Sequence, residues 1–153
     1  MLLIEKVALL KATEIFSQIP DDILARLASV TEETTIEPHV RFIEKGDVGT
    51  DMYIIVEGRV RVHDASLVFT EVTAGMPIGE FALFSPAPRV ASCTTEVETR
   101  LLIITRDALS DLMADRPEIA DAVIRMLIER LRSANARISD LTAQLSQSTS
   151  ANH

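Results

Sequence analysis

The sequence predicts a mainly β domain with flanking helices: a small barrel or jelly roll, preceded by short helices and followed by one long helix. Three observations lead there. Between Thr31 and Thr105 the chain runs in short alternating or β-branched stretches separated by turn residues. Before that region, and again after it, apolar residues recur at three- and four-residue steps. The last helical pattern then continues well past the point where a domain of 153 residues has core left to cover.

Residues 2–30 hold the N-terminal helices. Leu9, Leu10, Ile15, Phe16, Ile19, Ile23, Leu24, Leu27 and Val30 supply their apolar face, and Pro20-Asp21-Asp22 marks a helix start. Proline suits the first turn and acids favour its positive end. In the β region, 31–105, the strands expected are Thr34–Glu37, Arg41–Glu44, Met52–Val56, Arg59–Val62, Leu67–Val72, Cys93–Glu96 and Arg100–Ile104, with turns at Gly46-Asp47 and Glu57-Gly58. Helix returns over 106–145. Arg106-Asp107 opens one helix and Arg116-Pro117-Glu118 a longer one. Along the second, Ile119, Val123, Leu127, Leu131, Ala134, Ile138, Leu141 and Leu145 form a stripe whose steps alternate four and three from Leu127 onward, the rhythm of a coiled-coil seam. The first two turns are expected to pack on the β region. Beyond about Arg132 the expectation is a parallel homodimer through this helix. Residues 146–153 are polar and Ser-rich and read as a disordered tail, which leaves a single domain over 1–145.

The segment Gly79 to Ser92 carries the chemistry. It sets a glycine, a carboxylate and a short apolar turn a few residues ahead of an arginine. Buried Glu and Arg side chains are costly unless something satisfies them. A sugar phosphate, and a cyclic nucleotide in particular, brings an anion for Arg89 and hydroxyls for Glu80. Gly79 lets a ligand approach the backbone. Residues 80–84 can form one helical turn whose free N–H groups, at Phe81 and Ala82, would face a phosphate. Arg89 offers a planar fork for the same oxygens. An ordinary surface ion pair between Glu80 and Arg89 is the alternative.

The order Gly79-Glu80, Ala82-Leu83, Pro88-Arg89, Ala91-Ser92 resembles the phosphate-binding cassette of the cyclic nucleotide-binding domain family, whose members include the catabolite activator protein, protein kinase A regulatory subunits and nucleotide-gated channels. Two further blocks, Phe42–Asp47 and Met52–Val62, match that family's landmarks in the same order, and the resemblance covers about Leu9 to Arg132. It implies a β-roll of double-stranded β-helix or jelly-roll type, with the cassette at 79–92. It implies a regulatory or sensor module that transmits binding through its C-terminal helix, and no catalysis. In the family the residue at Glu80 holds the ribose 2′-hydroxyl, the one at Arg89 pairs with the cyclic phosphate, and backbone N–H groups matching Ala82 and Val90 reach phosphate oxygens. Thr after the arginine accompanies a cGMP preference; Val90 has no hydroxyl, which favours cAMP over cGMP. A residue of the long helix closes over the base, sometimes from the partner subunit. Asn135 falls where such a contact occurs, and Arg130 or Arg132 could instead stack on the base. The chain departs from the family at Gly75-Met76-Pro77-Ile78, where Pro77 removes a backbone donor.

Composition narrows the alternatives. With 23 acidic residues against 15 Lys and Arg, the net charge of −8 disfavours a nucleic-acid surface. No DNA-reading domain is expected after residue 140, no signal peptide precedes Leu9, and no stretch is apolar enough to insert in a membrane. Cys93, the lone cysteine, reads as a small buried hydrophobe in a reducing, cytoplasmic setting. His39, His63 and His153 are too far apart for a metal site, and Glu80 has no partner carboxylate for glycoside chemistry. The effector would be another protein or a fused domain. A second reading keeps the fold but leaves its pocket without nucleotide, as a dimerisation or docking domain.

Overall fold

The computed structural model describes residues 1–151, so His153 lies outside the described residues. Two helices come first, α1 (Leu3–Ala12) and α2 (Asp21–Ser29), joined through a single 3-10 turn at Glu14–Phe16. Ten strands follow: β1 (Glu32–Ile36), β2 (Arg41–Ile43), β3 (Val48–Gly49), β4 (Met52–Glu57), β5 (Arg59–Asp64), β6 (Leu67–Thr73), β7 (Pro77–Ile78), β8 (Ala87–Pro88), β9 (Ser92–Thr95) and β10 (Thr99–Ile104). Between β7 and β8 stands a second 3-10 turn, Glu80–Leu83. Helices α3 (Arg106–Asp115) and α4 (Glu118–Ala151) come last among the described residues.

All the strand pairs are antiparallel. One sheet runs β1-β10-β4-β7, a second β2-β9-β5-β6, and β3 pairs with β8 alone. This is the mainly β roll with flanking helices that the sequence predicts. All seven strands expected from periodicity are present within a few residues. The three it does not anticipate, β3, β7 and β8, are two residues long, too short for alternation to show.

The two sheets enclose one core and the helices a second. Ile43, Ile55, Val60, Val72, Ile78, Cys93 and Leu101 meet inside the roll. Met52, Ile54, Leu102 and Ile104 face the other way and join Leu10, Phe16, Leu24, Leu27, Leu83, Leu109 and Ile119 beneath the helices. Strands β4 and β10 are therefore buried on both faces. That is why Met52–Val56 and Leu101–Ile104 are continuous apolar runs rather than alternating ones.

Local chemistry places the helices. Leu24 N–H donates to the Pro20 carbonyl at 3.0 Å, so Pro20 caps α2 from just outside it, and the Thr105 hydroxyl caps α3 by accepting from Ala108 N–H at 3.2 Å. Helix α4 runs 34 residues, about 51 Å at 1.5 Å per residue. Of its residues whose burial is described, only Ile119, Ala122, Val123 and Met126 are buried. It continues through residues 146–151, which the sequence reading assigns to the tail.

Candidate functional site

Arg89 enters its site from a pinned backbone. Its N–H donates to the Asp47 carbonyl at 2.8 Å, and its own carbonyl accepts from Gly46 N–H at 2.9 Å, extending the β3–β8 pairing by one rung. The side chain then turns inward. Nη2 donates to the Asp51 carbonyl at 2.8 Å, and the guanidinium lies directly against the Cα atoms of Gly49 and Gly79. A Cβ at Gly49 would overlap Arg89 Nε and Cζ, and one at Gly79 would overlap Nη1. Gly79 also has φ +75°, a left-handed conformation that L side chains rarely adopt.

This guanidinium forms part of the wall of a cavity of about 290 Å³ inside the roll. Val62 on β5, Thr70 and Val72 on β6, Gly79, Val90 and Cys93 line the same space. The walls are mainly apolar, and the cation sits at one side of them. Among the described residues no carboxylate lies within ion-pair distance of Arg89, although acids outnumber bases and six other arginines are paired. The surface ion pair between Glu80 and Arg89, the alternative from sequence, does not form. A half-buried arginine that spends one donor on a carbonyl and has no counter-ion is set up to receive an anion.

The remaining side chains near the cavity follow from burial. Cys93 is 3% exposed, and burial pushes its thiol up to about 11, with the Arg89 charge opposing in part. It is a neutral wall atom at physiological pH. Ser92, the last residue of the segment singled out from sequence, accepts from Lys45 N–H at 2.9 Å and so fastens the chain just after β2 to β9. On the far side of Arg89, Tyr53 packs edge-on against Phe42 with ring centroids 5.6 Å apart. Burial raises the Tyr53 phenol, Asp51 adds to that, and Arg89 opposes it.

Three of the residues expected at the site stand differently from the sequence reading. Ala82 N–H is not free: it donates to the Gly79 carbonyl at 3.1 Å, because the turn is 3-10 and closes its first hydrogen bond at that position. Within the turn, the amides of Glu80 and Phe81 precede that bond. The Glu80 side chain lines a different cavity, of about 300 Å³, with Thr13, Glu14, Met76, Pro77 and Arg130. Asn135 stands on the exposed length of α4, past its last buried residue Met126, and lines neither cavity of its own chain. The helix departs from the roll before reaching it. The Arg130 guanidinium carbon lies 5.4 Å from the Phe81 ring centroid, so its flat face is turned to a cassette side chain. Val90, 86% exposed, forms part of the open rim of the Arg89 cavity.

Sequence reasoning misses Gly49, the Asp51 carbonyl and the wall residues Val62, Thr70 and Val72. Gly49 is the one that leaves a trace in the sequence: a second glycine three residues after Gly46, just ahead of a buried strand. Its reason, the close approach of an arginine forty residues away, exists only in three dimensions.

Residues 33–116 match the model of the cyclic nucleotide-binding domain. The CRP-like cAMP-activated global transcriptional regulator of Mycobacterium tuberculosis is 37% identical over 108 residues, which is 67% of this chain and 48% of the regulator. The chain thus spans about half the length of that curated relative. The N-terminal domain of a transcriptional regulator from Streptomyces coelicolor superposes with a TM-score of 0.79 at 30% identity, covering 85% of this chain and 94% of that one. The regulatory domain of Toxoplasma gondii protein kinase A, solved with cAMP, has the same fold, with a TM-score of 0.67 at 24% identity over 72% of this chain and 44% of that one.

Proposed function

Because the chain belongs to the cyclic nucleotide-binding domain family, we propose that it is a cAMP-responsive regulatory module, with its nucleotide in the Arg89 cavity and its output through α4. One observation carries this reading: a half-buried guanidinium, seated on two glycines and without a carboxylate partner among the described residues, on the wall of a largely apolar cavity. An apolar cavity with one convergent cation suits a purine bearing a single negative charge. Arg89 takes the phosphate, and Gly79, Phe81 and Val90 border it with backbone. Recruiting the Ala82 amide requires the turn to release the Gly79 carbonyl, and Glu80 must rotate from its own cavity to reach the ribose.

The preference for cAMP over cGMP rests on Val90, which offers no hydroxyl, and on relatives described as cAMP-activated or solved with cAMP. The working form is a homodimer through α4, and Asn135 serves the base only from the α4 of a second copy. The protein acts as a binding module in the cytoplasm rather than as an enzyme, on an effector protein or fused domain. Among the described residues no helix is long and apolar enough to cross a membrane.

Isothermal titration tests the site. Arg89→Ala should lose about 2–5 kcal/mol of cAMP affinity, the range for breaking a buried charged hydrogen-bond pair; equal affinities in the two proteins would remove Arg89 from the phosphate role. A second reading, a dimerisation or docking domain without nucleotide, draws on the displaced Glu80 and the occupied Ala82 amide. A ligand that binds only the folded state must raise its melting temperature. No thermal shift with millimolar cAMP or cGMP therefore selects the docking domain.

A further inference from the structure

A cavity of about 420 Å³ lies outside the roll, between the end of α2 and the face of α3. Val30, Ala108 and Leu112 form its apolar part. Carboxylates run along its rim: Asp107, Asp111 and Asp115 recur every four residues, which puts them on one face of α3. Asp107 suits the positive end of that helix. Asp111 stands mid-helix beside two like charges, and Asp115 sits at the negative end, so neither helps α3 to fold. Arg26, the one cation lining the cavity, is already taken up by Asp115, Nη2 to Oδ2 at 3.4 Å. Arg116, just past α3, pairs with Asp22 and Glu118. Among the described residues Asp107 and Asp111 have no ion pair. The surface next to the cavity is apolar. Helices α1 and α2 pack as a hairpin, which brings the start of α1 beside the end of α2. There Leu2, Leu3, Ile4 and Val30 are 49–76% exposed. Single exposed apolar side chains are ordinary, whereas a group of them bordering an apolar cavity marks an interface.

We propose that the groove between α2 and α3 docks a cationic amphipathic helix of another protein. Its apolar side chains, at steps of three and four residues, enter between Val30, Ala108 and Leu112, and its Lys or Arg residues meet Asp107 and Asp111. Charge selects this occupant. A second copy of the chain fits poorly, because a two-fold contact sets the same patch against itself and would bring one row of aspartates onto another. The whole chain also carries a net charge of −8, which repels a second copy and draws in a basic partner. The groove shares no lining residue with the Arg89 cavity, and docking there does not depend on what that cavity holds.

The probe is a fluorescein-labelled helical peptide of about 18 residues, five turns long, with leucines along one face and lysines on its flanks. A twin carries Glu in place of every Lys. By fluorescence anisotropy with the full chain, the Lys peptide should bind about tenfold tighter than its twin or better. Asp111→Lys should weaken it about fivefold or more. Ala108→Trp, which fills the cavity without changing charge, should weaken it by a similar factor, and Asp140→Lys on the far half of α4 should leave it unchanged. In the unaltered chain, where no substitution can disturb folding, the Lys peptide should slow hydrogen exchange over residues 26–30 and 106–115. Equal binding of the two peptides, or none, overturns the proposal. So does an Asp140→Lys effect as large as that of Asp111→Lys, which would mean diffuse attraction to an acidic surface, or protection confined to other segments. A wild-type dimer that Ala108→Trp dissociates would put a second copy in the groove instead.

Discussion

At Gly49 and Gly79 the missing Cβ atoms allow the Arg89 guanidinium to approach the backbone closely enough to reach the Asp51 carbonyl. The two positions differ in what a substitution would meet. Gly49 has an unstrained backbone, so Gly49→Ala adds only the clash, and the displaced neighbour is a flexible arginine rather than the main chain. Gly49→Ala should therefore weaken cAMP binding by about 1–3 kcal/mol, the usual scale of overpacking, while its melting temperature moves little; a large loss of stability with unchanged affinity would contradict this placement. Gly79→Ala should cost stability as well, because it must hold φ +75°. Cys93 gives an independent check on the cavity. With burial pushing its thiol up to about 11, alkylation at pH 8 should be slow in the native protein and fast in denaturant.

The β5–β6 hairpin and α4 are each held by a side-chain contact. The β5–β6 hairpin turns through Ala65 at φ +51°, a strained conformation for alanine, while the His63 ring bonds the Ala65 carbonyl at 2.9 Å. Ala65→Gly should relieve about 1 kcal/mol of that strain and raise the melting temperature by a few degrees; a lower one would mean that the turn needs alanine's smaller chain entropy more than its relief. On the other side, α4 is tied down by Arg130 and Glu14. The Arg130 hydrogen bond holds the Glu14 carboxyl below its ordinary value of 4.5, with burial opposing it in part. A carboxyl whose value is lowered by folding adds stability above its unfolded value and loses it as the pH falls through the folded one. The melting temperatures of wild type and Glu14→Gln should differ at pH 7 and converge below about pH 4. Glu14 is exposed, so the gap will be small.

For the whole molecule, the surface available for assembly is the far half of α4. Leu131, Ile138, Leu141 and Leu145 are 55–70% exposed on one stripe. Fully burying such a side chain is worth about 1.5–3 kcal/mol, so a second copy of the same stripe is the natural cover. Light scattering should find a dimer, and Leu131→Glu combined with Leu141→Glu a monomer. A wild-type monomer at micromolar concentration would reject the seam. At this scale the sequence is most readable: the strands from Thr31 to Thr105 and the long helix follow from periodicities of two and of three to four, because each element exposes one face to a core. Arg89, too, is legible as a candidate site residue, since Gly79, Pro88 and Ala91 keep fixed spacing around it. Where the side chains go was not. Whether Glu80 faces Arg89 or Arg130 depends on how a 3-10 turn rotates, and whether Asn135 nears the cavity depends on where α4 leaves the roll. Such directions are set by contacts between residues tens of positions apart, and local spacing carries no record of them. The sequence by itself determined the elements and marked Arg89 as the candidate for an anion, because periodicity and residue chemistry are local; the tertiary structure alone decided that Arg89 has no carboxylate partner among the described residues and that Arg130 holds Glu14.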